Sequence, residues 1–296
     1  MAKKDVSNSP ADQARVEAVV GNPKQKFELL CEQIQRGTTT FKAIEFEFLD
    51  LLWTMDTYRR EQVVPRGMVS AKMLTEPPDK QLEGIYRGKG NYLSTVVALI
   101  VGEMTTSPLA SRRDVEGFSQ PHQIDIAWPA YDMDPIVGPL ICCEAKLTGA
   151  PPYPGNKGRK AMADWSNRRK ELKFQATDLK LARQKSNTSI HNWDLWRRSA
   201  PPSVYSLWAA RLAPQDSVIK MIEEARILSD TYSNGVGIYA FQENSTGTSY
   251  VATPIPKGVA GRVTSFDSVL GVMAAEIRQI MGQHGGHVPP PAGVKP

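Results

Sequence analysis

The chain has 296 residues, of which 41% are hydrophobic and 23% charged, a composition typical of globular proteins. No apolar run approaches the roughly 18 residues that a membrane span requires, and the N-terminus lacks the apolar stretch of a secretory signal. Three cysteines, two of them adjacent in an apolar run, do not form a disulfide framework. We therefore expect a cytoplasmic protein without membrane association.

The positive charge of the chain is concentrated in one segment. The formal net charge is +5, but residues 157–198 contain twelve basic residues and four acidic ones, which gives this segment +8 and the remainder −3. Such a concentration favours a polyanionic partner, most simply a nucleic acid. A solvated helix face is the alternative that charge alone leaves open.

The N-terminal part of the chain is polar at first and then helical. Residues 1–23 contain the breakers Pro10 and Pro23, and we expect a flexible lead-in there. In residues 24–87 apolar side chains recur at intervals of three and four, which indicates a helical N-terminal region. Two helices are predicted in it, over residues 24–36 and 40–60.

Residues 88–284 combine helical and strand patterns and form the predicted core. A buried helix over residues 88–104 is expected to end near Thr106. Strands are predicted over residues 123–128, 139–147, 203–211, 236–241 and 248–252, and helices over residues 164–185, 216–232 and 265–282. This order indicates an α/β (α+β) fold in which helices flank a mixed central β-sheet. The Pro/Gly-rich residues 285–296 are expected to be a disordered tail.

Three charged residues interrupt the two most apolar of the predicted strands. Asp125 lies within residues 123–128, and Glu144 and Lys146 close residues 139–147. If these strands are antiparallel neighbours, the two carboxylates lie side by side, and the two-residue period of a strand places the lysine on the same face. Such a group can bind a divalent cation and orient a water molecule. Alternatively, these are edge-strand charges that pair with one another.

The spacing of these residues resembles a known nuclease motif. Asp125, followed nineteen residues later by Glu144-Ala145-Lys146 at the end of an apolar strand, resembles the PD-(D/E)xK nuclease superfamily. Residues 88–103 resemble the helix that precedes the catalytic hairpin of that family. Residues 117–125 resemble the approach to its first acidic strand.

The resemblance covers roughly residues 88–252, and the chain as a whole most resembles a type II restriction endonuclease. Ile124 stands where the motif has its nominal proline, a position that varies within the family. Two further acid-x-Lys triplets, at residues 171–173 and 178–180, lie in a helix-like stretch. Side chains two residues apart on a helix point in different directions, so these triplets do not qualify.

The resemblance implies metal-dependent hydrolysis of phosphodiester bonds. Asp125 and Glu144 would bind Mg²⁺, for which Mn²⁺ can substitute, with the Ala145 carbonyl as a third protein ligand. Lys146 would position or deprotonate the attacking water and stabilise the pentacovalent phosphate. Glu103 is a candidate accessory acid, or alternatively an exposed residue near the C-terminus of its helix.

The basic insertion at about residues 157–198 is expected to contact double-stranded DNA, because Lys and Arg bind phosphates while Asn and Arg also reach base edges. His122 and Gln123 would contact phosphate or water, or stabilise the turn before the acidic strand. No nucleotide cofactor is expected, since residues 84–90 do not satisfy the P-loop pattern. The candidate DNA-binding residues are Lys157, Arg159, Lys160, Asn167, Arg168, Arg169, Lys173, Arg183, Lys185, Arg197 and Arg198.

The expected protein is thus a bacterial, sequence-specific endonuclease of a restriction-modification system. A homodimer is expected, because two active sites related by a two-fold axis can cut both strands of a palindrome. One alternative is a phage, repair or mobile-element nuclease of low sequence specificity. Another is a catalytically inactive DNA-binding protein that retains the nuclease fold.

Overall fold

The structure, a computed structural model, describes residues 6–66, 68, 75–132, 138–163, 165–188, 201–256 and 263–283. Over these ranges the chain forms seven α-helices and one seven-stranded mixed β-sheet. The predicted fold class, α/β (α+β) with helices flanking a mixed central sheet, is confirmed. The predicted disordered tail, residues 285–296, lies outside the described residues.

The helices and strands alternate along the second half of the chain. The helices are α1 (Pro10–Val20), α2 (Pro23–Gln35), α3 (Glu45–Arg60), α4 (Pro78–Thr105), α5 (Trp165–Thr188), α6 (Val218–Thr231) and α7 (Phe266–Gln283), with one 3₁₀ turn at Lys42–Ile44. The strands are β1 (Ala110–Glu116), β2 (Pro121–Trp128), β3 (Ile141–Thr148), β4 (Ser203–Arg211), β5 (Gly235–Glu243), β6 (Tyr250–Thr253) and β7 (Val263–Ser265). Within the described chain, no helix combines the length and the hydropathy needed to cross a membrane.

Two helices begin at prolines that lie outside every predicted helix. The sequence predicts no helix in residues 1–23, whereas Pro10–Val20 is helical and the Ser9 side chain caps it. Likewise, α4 begins at Pro78, ten residues before its predicted start, so the expected boundary between the helical region and the core falls inside this helix. A proline in the first turn of a helix loses no hydrogen bond, and its fixed φ suits the helix.

The sheet has antiparallel strands at one edge and parallel strands in the middle. Its order is β1-β2-β3-β4-β5-β6, and β7 also pairs with β5. Strands β1, β2 and β3 are antiparallel, whereas β3, β4 and β5 are parallel and are connected through α5 and α6. The sequence does not predict β1, because ASRRDVE is the sequence of a charged edge strand. It does not predict β7, because this strand has only three residues.

Helices cover both faces of the sheet. The larger apolar core lies between the sheet and α2, α3, α4 and α7, and contains Trp128 and Ile141. On the opposite face α5 and α6 bury a second cluster, in which the Trp165 ring stacks on Trp208 with 3.5 Å between centroids. Burial on both faces explains why the central strands are almost continuously apolar.

A buried ion pair joins α3 to α4. Lys89 Nζ donates to Asp56 Oδ1 and Oδ2 at 2.7 and 2.8 Å, and each side chain is only 1% exposed. The Tyr250 hydroxyl on β6 donates to Asp56 Oδ2 at 2.7 Å. Burial lowers the pKa of Lys89, and the neighbouring Asp56 carboxylate acts in the opposite direction. The Lys89–Asp56 pair and Tyr250 thus join the three elements. Removal of either charged side chain would leave the other buried and unpaired.

We predict that Asp56→Ala lowers the free energy of unfolding by about 3–5 kcal/mol, because Lys89 would remain buried without its carboxylate. The matched control is Glu28→Ala, which removes the exposed Lys24–Glu28 pair (3.7 Å) and should cost about 0.5 kcal/mol or less. Urea unfolding followed by circular dichroism measures both values. Equal losses for the two variants would contradict a specific role of the buried pair.

Candidate active site

The pairing of β2 with β3 brings the predicted acidic residues together. The two strands are antiparallel, as predicted, and their pairing runs from Trp128–Ile141 to Ile126–Cys143. The next residue on each strand is Asp125 or Glu144, so the two carboxylates lie side by side where the regular pairing stops. The Asp125 backbone N–H donates to Glu144 Oε1 at 3.4 Å.

Lys146 lies between the two carboxylates. Its Nζ donates to Asp125 Oδ2 at 2.9 Å and to Glu144 Oε2 at 2.6 Å. The Ala145 backbone N–H also donates to Asp125 Oδ2, at 3.0 Å. The three charged side chains predicted to converge therefore do so. The ion pairs named as the alternative are also present, because the ammonium binds both carboxylates.

Burial differs among the three side chains. Glu144 is 6% exposed, whereas Asp125 and Lys146 are 24% and 26% exposed. Burial raises the pKa of Glu144 to about 7, with Lys146 lowering it and Asp125 raising it further. Burial also acts to lower the pKa of Lys146, but the carboxylates of Glu144 and Asp125 outweigh it and raise that pKa. Lys146 is therefore an ammonium, and a further cation would favour the ionised form of Glu144.

Gln175 on α5 is a site residue that the sequence does not predict. Its Nε2 donates to Glu144 Oε1 at 2.9 Å, so it holds the oxygen that Lys146 does not bind. A glutamine within a highly charged helix carries no local signal of such a role. Only the packing of α5 against the strands reveals it. The acid-x-Lys triplets at residues 171–173 and 178–180 lie in this helix, as predicted, and not on a strand.

Asp178 fastens α5 to the turn between β1 and β2. It accepts from the Ser119 backbone N–H at 3.0 Å and from the Ser119 hydroxyl at 2.7 Å. His122 Nε2 lies 2.8 Å from its other oxygen, and both His122 and Asp178 are buried. A Cβ at Gly117 would overlap Asp178, so only glycine fits in this turn. Of the two roles considered for His122, the contacts support stabilisation of the turn.

An open cleft of about 210 Å³ lies beside the acidic residues. Asp125, Ala145 and Lys146 line it, together with residues from α4, from the end of β3 and from the start of α5. Besides Lys146, its lining includes four basic residues, of which three were predicted to bind DNA and Arg87 was not. The four are Arg87, Arg159, Lys160 and Arg168.

Four other predicted DNA-binding residues, all with described side chains, do not line this cleft. Lys157 and Asn167 are exposed elsewhere, and two further residues make contacts within the protein. Arg169 pairs with Glu224 at 2.8 Å, and Lys173 Nζ lies 4.9 Å from the centroid of the Tyr232 ring. Arg169 and Lys173 thus contact other parts of the protein, and the DNA-binding role of all four residues stays a prediction. The remaining candidates, Arg183, Lys185, Arg197 and Arg198, lie outside the described side chains.

Glu103 does not reach the acidic pair. It lines a separate cavity near the C-terminal end of α4, with Thr106 and Ser107 among its neighbours. Asn91, which lines the cleft, lies twelve residues earlier on the same helix, or about 18 Å at 1.5 Å per residue. The prediction of Glu103 as an accessory acid is corrected accordingly. The alternative position near the helix C-terminus agrees with the structure, although the side chain is half-buried rather than exposed.

The donor set of this site fits Mg²⁺ better than a metal that needs a closed protein cage. Among the residues that the structure describes, no group of three or more His, Cys, Asp or Glu side chains could hold a metal. Mg²⁺ is usually bound by one or two carboxylates and keeps waters and substrate phosphates as its other ligands, whereas zinc sites use His and Cys. Asp125 and Glu144 already share one cation, the Lys146 ammonium, which shows that the space between them accepts positive charge.

Comparison with known proteins yields no match to a family model, to a curated protein or to a solved structure. The function of the site must therefore be inferred from the distances, burial and charges of its own residues. Three of these residues, Asp125, Glu144 and Lys146, form a group whose chemistry is specific enough to support a proposal.

The contacts of Asp178 make the stability of the protein depend on pH. Burial acts to raise the pKa of Asp178, but hydrogen bonds from Ser119 and His122 outweigh it and hold that pKa below its ordinary value. A depressed carboxyl pKa stabilises the fold above the pKa of the unfolded chain, about 3.9, and the contribution disappears as the pH falls through the folded pKa.

We predict that Asp178→Asn lowers the free energy of unfolding by about 1.5–3 kcal/mol at neutral pH, because the hydrogen bonds to a charged acceptor are lost. The difference from the wild type should shrink below a pH of about 4, where protonated Asp178 resembles asparagine. Urea unfolding at a series of pH values measures it, with the exposed Asp230→Asn as control. A difference that stays constant into strong acid would overturn this explanation.

Proposed function

We propose that this protein is a Mg²⁺-dependent endonuclease that hydrolyses phosphodiester bonds in double-stranded DNA. The observation that carries the proposal is the meeting of Asp125, Glu144 and Lys146 beside a cleft that four basic residues also line. The acidic pair supplies ligands for a divalent cation. The basic residues supply charge for the phosphates of the substrate.

Asp125 and Glu144, with the Ala145 carbonyl, would hold the metal ion. Bound there, Mg²⁺ or Mn²⁺ would polarise a phosphoryl oxygen and lower the pKa of a water molecule. Lys146 is positioned by both carboxylates and carries its proton, so its role in this arrangement is that of a charged donor. It would orient the attacking water and stabilise negative charge on the phosphate, rather than act as a base.

Helix α5 would keep the carboxylates in a fixed geometry. Gln175 holds Glu144 through Oε1, while Lys146 holds it through Oε2. Asp178, three residues after Gln175, fastens the helix to the turn that leads into β2 and thus to Asp125. Preorganised ligands of this kind lower the cost of reaching the productive arrangement.

Within this class, the version that we favour is a type II restriction endonuclease that acts as a homodimer in the bacterial cytoplasm. Its support is the resemblance of the motif and of the residues around it to that class.

The second candidate is a nuclease of low sequence specificity. It is favoured by the lining of the cleft, because Arg and Lys side chains that contact phosphates position DNA without reading its sequence. The complete acid–acid–lysine group argues against a catalytically inactive DNA-binding protein, because DNA binding alone does not require it.

We predict that Asp125→Asn and Lys146→Ala each lower the rate of Mg²⁺-dependent plasmid cleavage at least about 100-fold, because each removes charge stabilisation from the transition state. Neither variant should lose the ability to bind DNA. Asp230→Asn and Lys220→Ala, exposed changes on α6, are the matched controls and should cleave normally. Undiminished cleavage by either site variant would refute the assignment of the site.

We also predict that digestion of a sequenced circular plasmid gives discrete fragments with defined ends, and that EDTA abolishes them. Specific cleavage requires readout of base edges, whereas contacts to phosphates alone would give a continuous smear. Gel electrophoresis followed by sequencing of the fragment ends makes the distinction. A smear would support the low-specificity nuclease and exclude the restriction endonuclease.

A further inference from the structure

Residues 149–163, between β3 and α5, form a compact structure without a helix or a regular strand. We call this segment the arm. Ala150 and Arg159 exchange two backbone hydrogen bonds, at 2.8 and 2.9 Å, and Tyr153 and Asn156 exchange two more, at 3.1 and 2.8 Å. Gly149, where the arm begins, has a φ of +78°, and a Cβ there would overlap the backbone of Arg211. The arm is therefore an ordered element in direct contact with the sheet.

Two anchors fix the part of the arm that borders the cleft. On one side, the buried Tyr153 ring lies with its centroid 4.8 Å from the guanidinium carbon of Arg59. On the other side, the Ala161 backbone N–H donates to Asp216 Oδ2 at 3.2 Å. The residues between these anchors include Arg159 and Lys160, whose exposed side chains line the cleft beside Asp125 and Lys146. The backbone is thus held on both sides of these two residues, at the place where their side chains border the cleft.

Arg59 connects the arm to the opposite wall of the cleft. It is 6% exposed, and among the described residues its Nε and Nη1 have no hydrogen-bond partner. Its guanidinium carbon also lies 5.2 Å from the ring centroid of Tyr86, which lines the cleft and donates to the Leu147 carbonyl at 3.3 Å. Over the described chain, Arg59 thus contacts two aromatic rings, and no ion pair with a carboxylate is found, an environment that suits a planar guanidinium.

The buried and partly buried side chains behind this wall carry more positive than negative charge. Lys89 pairs with Asp56, and Arg60 and Arg211 both pair with Glu243. With Arg59 added, four basic side chains stand against two carboxylates in this part of the described structure. A net positive charge behind the cleft attracts an anion into it.

From these contacts we infer that the arm is a phosphate-binding element. Arg159 and Lys160 bind the DNA phosphate next to the one that is cleaved, and Arg59 is the positioning residue that holds the arm through Tyr153. The inference rests on the proposed function, because it takes DNA as the ligand. It adds the location of the contact and the residues that maintain it.

Each phosphate contact that is lost reduces the slope of log K against log[salt] by about 0.9. The test is therefore the affinity for a short fluorescein-labelled DNA duplex, measured by fluorescence anisotropy in EDTA over a series of NaCl concentrations. The double variant Arg159→Ala/Lys160→Ala should lose about 0.9 from the slope, because the two side chains bind the same phosphate. Tyr153→Leu should also reduce the slope, although both basic residues remain. Tyr153→Phe, which keeps the ring, should leave the slope unchanged.

The matched control is Lys24→Ala/Lys220→Ala, which removes two exposed lysines that do not line the cleft and should leave the slope unchanged. Thermal unfolding establishes that each variant is folded. If Tyr153→Leu does not fold, Arg59→Lys takes its place, because it keeps the charge and loses the planar stacking group. The slope of log K against log[salt] should also be smaller for Arg59→Lys than for the wild type.

Two results would overturn the inference. A wild-type slope in Arg159→Ala/Lys160→Ala would show that the arm binds no phosphate. A wild-type slope in Tyr153→Leu, or in its substitute, would show that Arg59 and Tyr153 do not position the arm. Because binding is measured in EDTA, either result can occur while Mg²⁺-dependent cleavage is intact, so failure of this inference and failure of the proposed function are distinguishable.

Discussion

Two carboxylates lie side by side at the end of the β2–β3 pairing, and this arrangement requires a cation. Asp125 and Glu144 repel each other, and the burial of Glu144 removes most of the water that would screen the repulsion. Lys146 supplies one positive charge, from the same strand as Glu144. A divalent cation would supply more, which is why a pair that is costly for the fold suits metal-dependent chemistry.

The elements around the acidic pair hold it in place and line the cleft beside it with basic side chains. Helix α5 contributes Gln175 to the site and Asp178 to the turn before β2, so one helix fixes both strands. The arm, residues 149–163, and the start of α4 form two walls of the cleft, and Arg59 joins them from behind. A scaffold of this kind lets the charged residues keep their positions without a bound ligand.

The sequence predicted those parts of the molecule that depend on local patterns. The hairpin of β2 and β3 and the site on it followed from apolar runs interrupted by Asp125, Glu144 and Lys146 at strand spacing. The errors have local causes as well. Pro10 was interpreted as a break although it begins α1, and α4 begins at Pro78 rather than at residue 88. A charged edge strand such as β1 has no apolar alternation by which it could be predicted.

Other features depend on tertiary packing and could not be predicted from the sequence. Gln175 reaches Glu144 only because α5 crosses β3 at a particular register, and Arg59 lies behind the cleft although it is far from the arm in sequence. Glu103 is the opposite case. A glutamate is a suitable residue type for the site, but Glu103 lies too far along α4 to reach the acidic pair.

The most direct measurement is a crystal structure of the protein grown with Mn²⁺, located by its anomalous scattering. An anomalous peak between the carboxylates of Asp125 and Glu144, with Lys146 Nζ moved away from the space that it occupies between them, is the expected result. At saturating Mn²⁺, a map without a peak at this position, in which Lys146 still bridges both carboxylates, would contradict the assignment of a metal site.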